Sequence, residues 1–419
     1  MYRKTVLKSG VRLITERIPH VRSVSMGIWV TSGSRDESGP EAGISHFIEH
    51  MVFKGTSRRD AQQIAREIDS IGGASNAFTS RETTCFHARA LGEHLSLMVD
   101  ILADIFLEST YERREIERER HVVLQEIGLA QDTPDEYVHD LLGQSMWGDH
   151  PLGGSILGTA DSVRAIGRRQ IKGYLKRAYG PCSILIAAAG NLDHQALRRL
   201  IEPLFGALPA NGEARPREVP QAQARLAVFG RELEQVHLCL GLQGPAAAAP
   251  ERYAVALLNI VLGGSMSSRL FQTVREKMGL AYSIYSFQAA YVDAGMLGVY
   301  AGVDPRQVAK TLRLIGREMK RLKRELIGKA ELKAAKEHLR GSILLSAENT
   351  DNRMSRLAKN EINFGRFLPY DEIIAAMEAV KAREVRELAN RLFQDECLSL
   401  VTLGPVEEGT VPGEALKLN

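Results

Sequence analysis

The segment 46–50, with the sequence HFIEH, combines residue types that can bind a metal ion and move a proton. It lies in an apolar stretch after a glycine, and its periodicity predicts a helix over Ala42–Phe53. On a helix, His46 and His50 share one face, with Cβ atoms about 5–6 Å apart. Two imidazoles at this spacing can bind one zinc ion, while Glu49 on the same face can accept a proton from an attacking water molecule. The pattern therefore predicts a zinc site at which water attacks the carbonyl group of a peptide bond and hydrolyses that bond.

A short motif of this kind also has an ordinary explanation, in which the histidines are incidental and Glu49 is a solvated side chain. With 11 histidines and at most 51 glutamates among 419 residues, the pattern arises by chance roughly 0.03 times per chain. The surrounding residues are apolar, and solvated side chains are not expected there. The metal site is therefore favoured over the chance arrangement.

Two histidines leave a catalytic zinc site one protein ligand short. Glu126 is a candidate, because it lies among apolar residues of a helix predicted over Glu112–Ala130, where a buried carboxylate needs a partner. Glu119 lies two helical turns earlier on the same face and could hydrogen-bond one of the histidines. From the residues alone, Glu126 fits an ordinary helix surface equally well.

Composition limits the remaining classes of function. Apolar residues make up 44% of the chain and charged residues 25%, which allows a large core. The net charge of +3 argues against a nucleic-acid-binding protein held mainly by phosphate contacts. No C-x-x-C pair occurs, so we expect reduced thiols rather than a cysteine-based zinc site. The sequence shows neither a signal peptide nor a membrane span, and a cytoplasmic location is expected. The cysteines in question are Cys85, Cys182, Cys239 and Cys397.

The elements that must position these residues follow one order, used twice. A stretch rich in proline, glycine and charge at 209–220 predicts a linker near the middle of the chain. On each side the pattern predicts a strand, an apolar helix, a strand pair, two long helices, a helix ending at an aromatic residue and a glycine, and a final helix and strand. This order favours an α+β fold of two homologous domains, each a mixed sheet packed by helices. The predicted ranges are 1–207, 208–222 for the linker, and 223–419.

The segment HFIEHMVFKGT at 46–56 closely resembles the inverzincin metallopeptidases, the family of mitochondrial processing peptidase, pitrilysin and insulin-degrading enzyme. In that family the third zinc ligand is a glutamate about 76 positions after the second histidine, and Glu126 lies 76 positions after His50. A further family glutamate, seven residues before that ligand, matches Glu119. The resemblance covers essentially the whole chain and implies the ligand set His46, His50 and Glu126, with Glu49 as general base.

The resemblance also implies a substrate-binding surface. Residues 73–84 resemble the family's substrate-facing edge strand, in which Asn76 and Ala77 match positions that bind the substrate backbone, and the resemblance also implies Glu82 as a substrate-binding residue. An edge strand has free N–H and C=O groups, so an extended peptide can pair with it. In the second half, Arg275 and Tyr282 match a family pair that reaches the substrate at the zinc and stabilises its carbonyl groups. Without the family, an ordinary edge strand and a solvated Arg275 would explain these positions.

Two domains in one chain resemble the processing-peptidase branch, which implies a clamshell-like arrangement and a chamber for extended or unfolded peptides. The second-half segment that aligns with the zinc helix contains no histidine, so one zinc per chain is expected. The predicted activity is that of a zinc metalloendopeptidase acting as a homodimer. Two alternatives are a heterodimer with an inactive homologue and a non-enzymatic structural subunit.

Overall fold

The computed structural model of the chain describes residues 1–209, 216–407, 409 and 417–418. The described strands are β1 (Tyr2–Val6), β2 (Arg12–Arg17), β3 (Ser23–Val30), β4 (Ala74–Thr79), β5 (Thr84–Leu91), β6 (Ile184–Gly190), β7 (Leu226–Gly230), β8 (Val236–Gly244), β9 (Ala281–Ala290), β10 (Gly295–Val303) and β11 (Ser399–Gly404).

The described α-helices occur mostly in groups between the strands. They are α1 (Ile44–Met51), α2 (Ala61–Ser70), α3 (Leu95–Leu107), α4 (Arg113–Gln131), α5 (Pro134–Trp147), α6 (Ala160–Ala165), α7 (Arg168–Ala178), α8 (His194–Phe205), α9 (Arg252–Leu262), α10 (Val308–Arg324), α11 (Lys329–Ser346), α12 (Thr350–Phe364), α13 (Tyr370–Ala379) and α14 (Ala382–Leu392). A π-helical segment covers Phe271–Lys277.

The chain forms two compact units, and neither is a continuous stretch of sequence. Unit 1 consists of Met1–Leu129, Gly154–Arg217 and Leu345–Phe367, and unit 2 of Ala130–Gly153, Glu218–Leu344 and Leu368–Asn419. Unit 1 thereby takes α12 from the second half of the chain, and unit 2 takes α5 from the first. The predicted ranges, 1–207 and 223–419 for the domains and 208–222 for the linker, follow the repeat along the sequence. The two compact units do not coincide with these ranges, because each unit combines segments from both halves of the chain. Part of the predicted linker, at 210–215, lies outside the described residues.

Unit 1 is built on a six-stranded mixed sheet with the order β1-β2-β6-β3-β5-β4. The neighbours pair antiparallel except β2 and β6, which are parallel. Both faces of the sheet are covered, so β6 is buried along its whole length. Met26 and Ile28 belong to the core on one face, while Trp29 packs with Met354 of α12 on the other. Alternate residues of β3 therefore serve two separate cores, as strand geometry requires.

Unit 2 repeats this plan with a five-stranded sheet in the order β7-β11-β8-β10-β9. Its one parallel pair among the described strands is β7 with β11. Leu238 and Leu240 of β8 face the core shared with α9, α10 and α14. Cys239, between them, faces Leu142 of α5 on the opposite side. The predicted α+β architecture of two similar sheets packed by helices is confirmed.

The helices α5 and α12 pack against the closing strand of the sheet in their own unit. Each is followed by a glycine with positive φ, Gly148 at 56° and Gly365 at 65°. Glycine adopts this conformation without a steric penalty, and the chain turns sharply there. Across the part of the chain that is described, no helix is both long and apolar enough to cross a membrane.

Candidate metal centre

The helix α1 presents its histidines because its other face is buried. Phe47, Ile48 and Met51 point into the core of unit 1. The helix begins after Gly43, which has φ of 87° and whose missing Cβ would lie 2.5 Å from the carbonyl oxygen of Leu157. Only glycine fits this position, both for its backbone conformation and for its close contact. The start of α1 is therefore fixed by local sterics.

Three side chains converge beside α1. His46 Nε2 lies 3.2 Å from His50 Nε2, and these two atoms lie 3.6 Å and 3.4 Å from Glu126 Oε2. One ligand atom from each of the three residues falls within 4.8 Å of the others. The two histidines come from α1 and the carboxylate from α4, 76 residues after His50. The structure thus brings together the three residues that the sequence singled out as metal ligands.

This set of donors fits a zinc ion. Two imidazole nitrogens and one carboxylate oxygen are a known protein ligand set for catalytic zinc, which keeps a further position open. Burial, with the adjacent charge of His50, lowers the pKa of His46 to about 4, so its ring is neutral near pH 7 and able to donate a lone pair. Glu126 is the most accessible of the three, with 36% of its side chain exposed.

Glu119 orients His50 from behind. Its Oε1 lies 2.8 Å from His50 Nδ1, and its Oε2 lies 2.7 Å from Lys54 Nζ. Burial acts to raise the pKa of Glu119, but the hydrogen bonds from His50 and Lys54 outweigh it and lower the pKa. A carboxylate at this position assigns the proton of His50 to Nδ1 and leaves Nε2 free to bind a metal.

Glu49 lies on the same face of α1, between the histidines in sequence. Its Oε2 is buried and has no hydrogen-bond partner among the described residues. Burial raises the pKa of Glu49, although the neighbouring Thr79 acts in the opposite direction. A carboxylate with a raised pKa is a better proton acceptor near neutral pH.

Sequence reasoning missed Glu37, which holds the start of α1. Its Oε2 accepts a hydrogen bond from the backbone N–H of Gly43 at 2.7 Å, and its Oε1 accepts one from Ser45 at 2.8 Å. Burial raises the pKa of Glu37 to about 8, against the lowering effect of these hydrogen bonds. The signal in the sequence was an acidic residue shortly before a helix that begins with glycine and has no capping side chain of its own.

The strand β4 lies at the edge of its sheet and pairs only with β5 among the described strands. Ala77 is buried, whereas Asn76 is exposed and accepts a hydrogen bond at its Oδ1 from the Ala77 N–H at 2.8 Å. Glu82, in the turn after β4, forms ion pairs with Arg35 at 2.7 Å and Arg217 at 3.3 Å. The carboxylate of Glu82 is therefore engaged in the loop structure.

Arg275 and Tyr282 lie together on the surface of unit 2. The guanidinium of Arg275 lies 4.9 Å from the centre of the Tyr282 ring and 4.7 Å from that of Phe271. Tyr282 is 80% exposed at the start of the edge strand β9, after a turn in which Gly279 has φ of 59°. Tyr282 is thus not a core aromatic residue, and its hydroxyl is accessible.

Comparison with known proteins identifies the family of the chain. Residues 12–160 match the family described as insulinase (peptidase family M16), and residues 165–339 match the peptidase M16 inactive domain. The chain is 42% identical over 403 residues to the uncharacterized zinc protease YmxG of Bacillus subtilis, covering 96% of this chain and 98% of that protein. It is 39% identical over 414 residues to an uncharacterized zinc protease of Streptomyces coelicolor, covering 97% of this chain and 90% of that one. The chain therefore belongs to peptidase family M16.

Solved structures show the same fold. A protease from Helicobacter pylori superposes with a TM-score of 0.91 at 22% identity, covering 97% of this chain and 99% of that one. A peptidase M16 inactive domain from Pseudomonas fluorescens gives a TM-score of 0.90 at 21% identity, covering 97% and 98%. The chain therefore has the same fold as these two proteins over nearly its whole length.

Proposed function

We propose that the protein is a zinc metalloendopeptidase that hydrolyses extended or unfolded peptides. The observation that carries the proposal is the convergence of His46, His50 and Glu126, whose ligand atoms lie within 4.8 Å of one another beside Glu49. Family membership and the zinc proteases among the relatives support the same assignment. When bound by these three residues, zinc would supply a Lewis acid that polarises the peptide carbonyl group.

The residues of the chain supply the remaining chemistry. Glu49 accepts a proton from the attacking water molecule and later delivers one to the departing amine, which is the usual pair of steps for a single acid–base group. Its burial and raised pKa suit both steps. Glu119 holds the ring of His50 in one orientation, and Lys54 holds Glu119.

Substrate binding is proposed to use the free edge of β4. An extended peptide adds a strand to such an edge through backbone hydrogen bonds, which favours unfolded chains and little sequence selectivity. Asn76 and Ala77 would contact the peptide backbone directly. Glu82 would act through the turn that it stabilises with Arg35 and Arg217. Arg275 and Tyr282 would donate hydrogen bonds to carbonyl groups of the substrate.

The proposal includes a chamber that admits extended chains and a homodimeric assembly, as the processing-peptidase resemblance implies. A heterodimer with an inactive homologue and a non-enzymatic structural subunit are the competing forms. The decisive experiment is digestion of a peptide library by the purified chain, with its zinc content and molar mass measured on the same sample. Zinc-dependent cleavage by the chain alone would support the enzyme. Cleavage only after addition of a second homologue would support the heterodimer, and zinc-free protein without cleavage would support the structural subunit.

A further inference from the structure

The helix that carries both histidines, α1, is short and has no capping side chain at its N-terminus. It spans only eight residues, Ile44–Met51, and isolated helices of this length are unstable in water. Its first residue is preceded by Gly43, which offers no side chain to accept hydrogen bonds from the free N–H groups of the first turn. The position of α1 must therefore come from contacts outside the helix.

Glu37 supplies the missing cap from six residues before Gly43. Each of its carboxylate oxygens accepts one backbone hydrogen bond, from Gly43 and from Ser45, at 2.7 Å and 2.8 Å. Glu37 is 6% exposed, so these bonds are shielded from water.

A second set of contacts holds the side chain of Ser45. The hydroxyl of Tyr174, on α7, lies 2.8 Å from Ser45 Oγ and 3.0 Å from Ser32 Oγ. All three residues are buried, with exposed fractions of 0%, 1% and 6% for Ser45, Tyr174 and Ser32. Ser45 directly precedes His46, and both the backbone N–H and the hydroxyl of Ser45 are held by hydrogen bonds. These bonds fix the backbone next to the first histidine.

We infer that Glu37 is a positioning residue of the metal centre, which sets the placement of His46 and His50 by capping the helix that carries them. The inference rests on the proposed zinc function of these histidines. Glu37 touches neither the ligands nor a substrate, and acts only through α1. Since Glu126 comes from a different helix, a small rotation of α1 would change both histidine–carboxylate distances together.

The test uses the full-length chain with Glu37→Gln. The substitution keeps the size of the side chain but turns one accepting oxygen into a donor that faces a backbone N–H. We expect zinc affinity, measured by competition with a chromogenic chelator, to fall by about 10- to 100-fold, as for other residues that orient metal ligands. kcat should fall while KM stays within about twofold, because the substrate contacts are untouched.

Glu41→Gln is the matched control, since it makes the same chemical change in the same loop. Glu41 bonds to Ser38 and Arg177 and has no bond to α1 among those described. Its zinc affinity and kcat should match the wild type. Equal losses in both variants, or wild-type zinc affinity in Glu37→Gln, would overturn the inference.

If Glu37→Gln does not fold, Tyr174→Phe replaces it, because it removes only the hydroxyl that holds Ser45. A several-fold loss of zinc affinity is then expected, and unchanged affinity would count against the positioning role. Zinc binding is measured without peptide hydrolysis, so a wild type that binds zinc but cleaves nothing would refute the peptidase activity alone. A wild type that binds no zinc would refute both.

Discussion

The helices α1 and α9 occupy matching places in the two units, and they differ in chemistry rather than in packing. When residues 46–52 are aligned with residues 256–262, the same positions are buried in both segments. These are the second, third, sixth and seventh positions. The partly exposed positions hold His46, Glu49 and His50 in α1. In α9 the same positions hold Ala256, Asn259 and Ile260.

The comparison separates what the fold needs from what the chemistry needs. The buried face of each helix is apolar and contributes to its unit's core. Burial stabilises the fold in proportion to apolar area, whatever the other face carries. The two helices therefore share the apolar residues that the fold needs, and only α1 carries the residues that the metal chemistry needs. If so, substitutions on the partly exposed face of α1 should abolish activity, and matched substitutions on α9 should not.

The largest effect is expected from His50→Ala, which removes a ligand. Zinc content should fall from about one per chain to near zero, because a site of this type depends on all three protein ligands. Peptide hydrolysis should fall to background. Metal analysis of protein purified without chelator measures the first quantity.

The matched change on the other helix is Asn259→Ala, which should leave zinc content and hydrolysis unchanged. A loss of zinc in Asn259→Ala equal to that in His50→Ala would show that the two helices do not divide the functions as proposed.

Glu49→Gln should keep zinc but lose hydrolysis by at least about 10²-fold, because an amide does not accept the proton of the attacking water. The variant should still bind peptide, which makes it suitable for trapping a complex. Cleavage assays and metal analysis on one preparation test this. Hydrolysis at the wild-type rate would rule out Glu49 as the general base.

Glu119→Gln should weaken zinc binding by about 10- to 100-fold, since the amide orients His50 less firmly than the carboxylate. The control is Glu117→Gln on the same helix, where the carboxylate pairs with Arg120 at the surface. Chelator competition should show a loss in the first variant and none in the second. Equal zinc affinities in the two variants would show that Glu119 does not orient His50 for metal binding.

The smallest effect is expected from Tyr282→Phe, which should lower kcat/KM without changing zinc content. Removal of one oxyanion donor in a well-studied protease costs about 2.7–4 kcal/mol, and an exposed contact should cost less. Because Tyr282 is 80% exposed, the melting temperature of the variant should stay close to that of the wild type.

Tyr285→Phe on the same strand gives the opposite pattern and serves as the control. The Tyr285 hydroxyl lies 3.0 Å from His139 Nε2 of α5, so its loss should lower the melting temperature slightly and leave kinetics unchanged. A purely thermal effect in Tyr282→Phe would remove Tyr282 from the substrate site.

Elements with strong local signals were predicted well from the sequence. In each half the sequence predicts a helix that ends at an aromatic residue and a glycine, and α5 and α12 end in this way at Trp147 and Phe364. The predicted helix at Ala42–Phe53 is shorter in the structure, Ile44–Met51, and its later start follows from the positive φ of Gly43. Strand alternation and glycine at a helix end act over a few residues, so sequence patterns report them directly.

Long-range pairings had no such signal. No pattern in the sequence indicated that β2 and β6 run parallel, or that α5 and α12 pack on the sheets of the opposite halves. Contacts between residues far apart in the sequence leave no periodic pattern, so they cannot be predicted from local spacing. Trp29 illustrates this, since its Nε1 donates to Met354 Sδ, 325 residues away, at 3.3 Å.

By itself, the sequence determined the helical spacing of His46 and His50, because residues four apart on a helix share a face. It also determined that α9 has no ligand at the matching positions. Only the tertiary structure decided that Glu126 lies 3.4–3.6 Å from both histidines, that Glu119 backs His50, and that Glu37 caps α1. Local geometry follows from covalent spacing, whereas contacts across 76 residues depend on how the whole core of unit 1 packs.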